Sequence, residues 1–211
     1  MTTSTKLQAD PVFAAPADEA RIEHTVNALQ ENGIAVHVVE TAAEARRLVF
    51  RLLPEGAEVF SSSSRTLDQI GFNEELESSS RYRAVRNVLK TMDYATQARE
   101  MVRLGATPEW VVGSVHAVTE AGEVLVASAS GSQLGPYSAG AEGVIWVVGW
   151  HKLVKDHEEG VRRIFNYSLP LEDARAIEAY GMNSMVAKLL TFHRERPGRI
   201  TMVIVKESLG F

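Results

Sequence analysis

The feature that most constrains this chain is the run Val144-Ile145-Trp146-Val147-Val148-Gly149-Trp150. It is the longest apolar stretch, it has the length of one strand, and no alternation with polar residues interrupts it. A strand apolar on both faces has to be covered on both faces, which is the habit of parallel sheets flanked by helices. The rest of the sequence repeats this theme. Ile34 to Val39, Ala57 to Phe60 and Ile200 to Val205 are short β-branched or apolar runs, and helical patterns separate them. Strand and helix in alternation predict a layered α/β/α domain with a mostly parallel sheet. Val111 to Thr119 and Glu123 to Ala127 read as two strands joined by the turn Glu120-Ala121-Gly122, a hairpin that would make the sheet mixed.

Local signals place the helices. Asp18 can cap a helix to about Glu31, and Gly33 suits its exit. Thr41 can cap a second helix that Pro54-Glu55-Gly56 stops. Helices are also expected from Asn73, over Arg81 to Lys90, and over Tyr94 to Leu104. Three more are expected over Asp156 to Tyr167, Leu171 to Tyr180 and Ser184 to Phe192. Residues 1–17 mix Thr, Ser, Ala and Pro and are expected to form a flexible arm. Residues 18–211 are expected to be a single domain, since 211 residues suit one core better than two.

Several function classes are disfavoured. The formal charge is -5, and no basic stripe of the kind that neutralises nucleic-acid phosphates is present. Arg46-Arg47, Arg162-Arg163 and Arg194 to Arg196 read as solvated helix faces. With no cysteine, the chain cannot make disulfides, thiolate zinc sites or a cysteine-ligated iron–sulfur cluster. That composition fits a reducing cytoplasm. Met1 to Ala9 lacks the apolar core of a signal peptide, and no run is long enough to span a bilayer. The six histidines form no metal-ligand spacing, no complete dinucleotide or P-loop pattern occurs, and no metal or cofactor is expected.

Gly113-Ser114-Val115-His116-Ala117-Val118-Thr119-Glu120-Ala121-Gly122 resembles the central signature of the LUD (lactate-utilisation) family, in its LutC/YkgG-like group. Ser128 to Gln133, Gly140-Ala141-Glu142, Val144 to Gly149, Lys152-Leu153-Val154, Leu169 to Arg175 and Val205 to Phe211 resemble the blocks that follow, so the likeness covers roughly Ala57 to Phe211. The resemblance implies a fold of the NagB/RpiA/CoA-transferase-like group. It also implies a link to lactate or organic-acid utilisation, alongside iron–sulfur partner proteins. Fold kinship alone does not deliver a reaction. A non-catalytic subunit of such an assembly is the alternative, and a homo-oligomer is expected. Trp146, Trp150, Tyr137 and Phe165 are interface candidates that core packing would also explain.

The polar residues between elements point to a small anionic metabolite. Ser62, Ser63 and Ser64 follow a strand, where backbone N–H groups and hydroxyls can hold phosphate or carboxylate; a simple helix cap would look the same. Glu120, beside Thr119, is the candidate reacting carboxylate because the turn faintly resembles the transferase element carrying a catalytic glutamate; an exposed turn carboxylate is the plainer reading. His116, read as mid-strand, can bond substrate or be a satisfied core histidine. Ser130, Gly131, Ser132 and Gln133 follow a strand, at the sheet edge where ligands bind in open α/β folds. Lys152, after the Val144 to Val148 strand, is placed at the same edge. Glu172, Asp173 and Arg175 after Pro170 read as helix-start residues.

Overall fold

A computed structural model describes residues 7–211. The first half of the chain contains α1 (Glu19–Glu31), β1 (Ala35–Val39), α2 (Ala42–Leu52), β2 (Glu58–Ser61), α3 (Arg65–Gln69), α4 (Phe72–Ser78), β3 (Arg83–Ala84), α5 (Val85–Leu89) and α6 (Tyr94–Ala106). The second half contains β4 (Trp110–Gly113), β5 (Ala117–Thr119), β6 (Val124–Ser128), β7 (Gly143–Gly149), β8 (Leu153–Val154), α7 (His157–Arg163), α8 (Leu169–Tyr180), β9 (Lys188–Phe192) and β10 (Ile200–Val205).

Local chemistry explains the first helices. The Asp18 side chain accepts from the Arg21 N–H at 2.8 Å and starts α1. Thr41 and Glu44 form a reciprocal capping box at α2, a device that contributes about 1 kcal/mol.

Six strands form a wholly parallel sheet in the order β1-β10-β7-β4-β2-β3. The apolar run seen in the sequence is its central strand β7, every residue of which is buried. The expected hairpin exists, with Gly122 at φ 76° and its N–H bonded to the Thr119 carbonyl. It does not join the parallel sheet. It belongs to a second, four-stranded sheet in the order β8-β5-β6-β9.

Strand periodicity shows how the layers stack. Val144, Trp146 and Val148 of β7 face a core shared with Val118, Val124, Val126 and Phe192 of the second sheet, and α1 inserts Ile22 and Leu29 there. The alternate residues Ile145 and Val147 face the opposite way, toward α2, α3 and α4. On the second sheet, Ala117 and Leu125 turn outward to meet Ile164. The period of two thus distributes each strand between two cores. Trp146 spans the central one, edge-on to Tyr137 at 5.5 Å and to Phe192 at 5.1 Å. Trp146 and Tyr137 are fully buried, so packing accounts for them; Phe165 is exposed.

Several sequence expectations change. The stretch expected as one strand over Val111 to Thr119 breaks at Ser114-Val115-His116, where the chain leaves one sheet for the other. Of Ser184 to Phe192, expected as a helix, Lys188–Phe192 is the edge strand β9, because antiparallel pairing with β6 outweighs local preference. Arg163, expected on a solvated face, is fully buried. Between α7 and α8 the chain does not stop; a π-turn at Ile164–Ser168 joins them just before Pro170, a residue that cannot complete the regular ladder. Of the expected N-terminal arm, residues 1–6 lie outside the described residues. Residues 11–14 form a helical turn that buries Phe13, and the Asp10 N–H bonds the Asn166 carbonyl at 2.8 Å.

Candidate functional site

Strands β7, β4 and β2 are adjacent and parallel, so their carboxyl ends emerge together. The segments that follow them, His151-Lys152, Ser114 to His116 and Ser62 to Thr66, therefore meet at one edge, the usual location of ligands in open α/β sheets. Lys152, Ser114 to His116 and Ser62 to Thr66 form one wall of a cleft of about 430 Å³. The facing wall comes from Ala127 to Ser130 at the end of β6, from Ile164 and Ser168 on the π-turn, and from Glu172 and Arg175 on α8.

Lys152 sits at the centre of the first wall and is 2% exposed. Its Nζ lies within hydrogen-bonding distance of Thr66 Oγ1 at 3.1 Å, Ser114 Oγ at 3.1 Å and the Val115 carbonyl at 3.3 Å. All three partners are neutral. Burial, and then the nearby Arg163 guanidinium, hold its pKa well below the ordinary lysine value. Arg163 lies behind the cleft wall. Its Nε donates to the His151 carbonyl at 3.2 Å, and its Nη1 donates to Ser168 Oγ at 3.0 Å and to the His116 carbonyl. Nη2 has no partner among the described residues. Burial lowers its pKa to about 10, still far above neutrality, so the guanidinium keeps its charge. Another guanidinium, that of Arg86 on α5, bonds the Ser61 carbonyl at 2.7 Å and Ser63 Oγ at 2.9 Å.

The two histidines of this region are neutral. His116 is held at about 3 by burial and by the charges of Lys152 and Arg163. Its Nδ1 accepts from the Ala127 N–H at 3.1 Å, so the ring proton belongs on Nε2. His151 is lowered to about 2, again by burial first, then by Arg163 and Lys152.

A buried tyrosine fixes the serine loop. Tyr137 Oη lies 3.1 Å from Ser62 Oγ and 3.3 Å from the Ser114 carbonyl. Burial raises its pKa, so the phenol stays protonated. Arg199 positions this tyrosine through the Pro136 and Tyr137 carbonyls at 3.0 and 2.9 Å. Gly113 permits the approach, because a Cβ there would fall 1.6 Å from Tyr137 Oη.

Of the residues singled out in the sequence, Ser62, Ser63, Ser64, His116, Ser130, Ser132, Gln133 and Lys152 all line this cleft. Ser64 also caps α3. Gly131 closes the adjoining turn at φ 90°, its N–H bonded to Ser128 Oγ at 2.8 Å. Glu120 and Thr119 are not brought to the cleft. The open end of the β5–β6 hairpin, with His116 and Ser128, faces it, and the turn points away by the length of the strands, roughly 10–15 Å. Glu120 instead pairs with Arg21 at 2.8 Å, and Thr119 Oγ1 accepts from the Glu123 N–H at 3.0 Å. Glu172 and Arg175, expected as helix-start residues, form a two-pronged ion pair at 2.6 and 2.7 Å on the cleft wall. Thr66, Ser114, Arg86, Tyr137 and Arg163 were missed as site residues. Only Ser114 carried a local signal, standing two residues before His116 in the signature segment.

The LUD domain family model matches residues 22–210. This chain belongs to the LUD domain family. The match starts well before Ala57, so α1, β1 and α2 are part of the LUD domain as well. A crystal structure of a DUF162 family protein from Deinococcus radiodurans is similar over 90% of this chain and 99% of that one. Its TM-score is 0.52 and its identity 14%, which supports the shared fold alone. A comparison with curated proteins gave no match. Among the described residues of this LUD domain, no helix is long and apolar enough to cross a membrane, and no group of three metal-ligating side chains occurs.

Proposed function

We propose that this LUD domain binds a small organic anion in the cleft, in the service of lactate or related organic-acid utilisation. One observation carries the reading. The Arg163 guanidinium is fully buried and keeps its charge, and every hydrogen-bond partner that it and the neighbouring Lys152 have is neutral. Buried charges are normally paired, because an unpaired one costs several kcal/mol. Carboxylates do line the cleft, but Glu172 is committed to Arg175, and Asp68 is exposed and bonds Asn73 at 2.7 Å rather than Lys152 or Arg163. An anionic ligand would supply the missing counter-charge. Arg86 is its direct donor, and the hydroxyls of Ser62, Ser63 and Ser130 orient it. The family link to organic acids makes a carboxylate the first ligand class to test.

Thermal shift and calorimetry with lactate, pyruvate, acetate and phosphate test this. A ligand at a hundred times its Kd should stabilise the protein by about 2.7 kcal/mol. Arg86→Met should weaken binding by about tenfold or more, the effect of losing a hydrogen bond to a charged group. If none of these anions raises the melting temperature, the reading fails.

A further inference from the structure

We propose that Lys152 is a carbonyl-reactive amine, and that its Nζ condenses with the keto or aldehyde carbon of a small oxo acid held in the cleft to form an imine. The proposal rests on the anion-binding reading for the carboxylate end of that ligand and adds the chemistry at the other end.

Three observations carry it. The first is position. The short turn Trp150–Lys152 at the end of β7 sets the lysine against the ligand edge of the sheet, where it lines the cleft. The second is the absence of a structural reason for an ammonium there. A lysine buried for stability has a carboxylate partner; Nζ meets two hydroxyls and one carbonyl, with Arg163 as its charged neighbour. Desolvation beside a second cation is how proteins keep a lysine unprotonated and nucleophilic near neutral pH. The third is a built proton path. Thr66 Oγ1 and Ser114 Oγ lie 3.2 Å apart, and each lies 3.1 Å from Nζ.

The chemistry balances without an oxidant or reductant. The Nζ lone pair forms the C–N bond while the carbonyl π pair moves to oxygen. That oxygen takes up the proton that Nζ gives away through the hydroxyl pair, producing a carbinolamine. A second proton passes from Nζ to the hydroxyl group, which leaves as water as the C=N bond forms. Amine and carbonyl become imine and water. His116, neutral and protonated at Nε2, lines the same cleft as a donor toward the ligand's oxygens.

The test uses the wild-type chain. It is incubated with glyoxylate or pyruvate and sodium cyanoborohydride, and the reduced adduct is mapped by peptide mass spectrometry. Lys152 should be labelled at least about tenfold faster than exposed Lys90, Lys155 and Lys188, since each unit of pKa depression raises the neutral amine fraction about tenfold. Lactate, which carries the carboxylate without a carbonyl, should protect Lys152. Lys152→Arg should lose the adduct while keeping the cooperative urea transition of a folded chain. Labelling confined to the exposed lysines, or spread evenly, overturns the imine. If lactate, pyruvate, acetate or phosphate stabilises the wild type in that case, anion binding survives alone; if none of them does, both readings fall.

Discussion

Replacing Gly113 by alanine tests how tightly the site is coupled to the core. An alanine Cβ would stand 1.6 Å from Tyr137 Oη, 2.8 Å from Tyr137 Cζ and 2.4 Å from Ser62 Oγ. Ser62 can rotate away. Tyr137 cannot do so cheaply, since it is fully buried and packed edge-on against Trp146. Displacing the phenol breaks its contacts with Ser62 and the Ser114 carbonyl, at about 1 kcal/mol each. Overpacking a filled core costs a further 1–3 kcal/mol or so. The expected loss is therefore about 3–5 kcal/mol, a large share of the roughly 5–15 kcal/mol that holds a domain together. Urea denaturation of wild type, Gly113→Ala, Tyr137→Phe and the double variant measures it. Without the hydroxyl the closest contact to residue 137 relaxes from 1.6 to 2.8 Å, so the double variant should lose less than the two single losses combined. A Gly113→Ala protein within about 0.5 kcal/mol of wild type, or strict additivity, would refute the reasoning.

The buried bases make stability depend on pH in a defined direction. His116 and His151 are held at about 3 and about 2, below the unfolded value of about 6.5, so the unfolded chain binds more protons there. Their contribution should be complete above about pH 6.5 and lost progressively as pH falls toward those folded values, with Tm tracking it. Lys152 acts likewise from its unfolded value of about 10.4 downward. Lys152→Met should accordingly flatten the rise in stability between neutrality and about pH 10; parallel urea curves across that range would contradict its depressed pKa. Glu120→Gln should leave anion affinity unchanged and cost under about 1 kcal/mol, since it removes only a part-exposed pair with Arg21. A loss of binding measured by calorimetry would return Glu120 to the site.

The sequence by itself determined the features that rest on a few neighbouring residues. A capping residue and the N–H it satisfies are three positions apart, so Asp18 and Thr41 announced α1 and α2. Uninterrupted apolar residues declared β7 buried on both faces, and a glycine able to take positive φ marked the hairpin turn at Gly122. Strand ends followed by Ser62 to Ser64 and by Lys152 pointed to the ligand edge, because a parallel sheet brings such ends together. Only the tertiary structure decided which sheet each strand joined. It sent the hairpin to the second sheet, opened the chain at Ser114 to His116, and turned Glu120 away from the cleft. It also buried Arg163, whose partners His116 and His151 are 47 and 12 residues distant. Pairing and burial of that kind depend on which distant segment arrives alongside, and no short window of sequence contains that information.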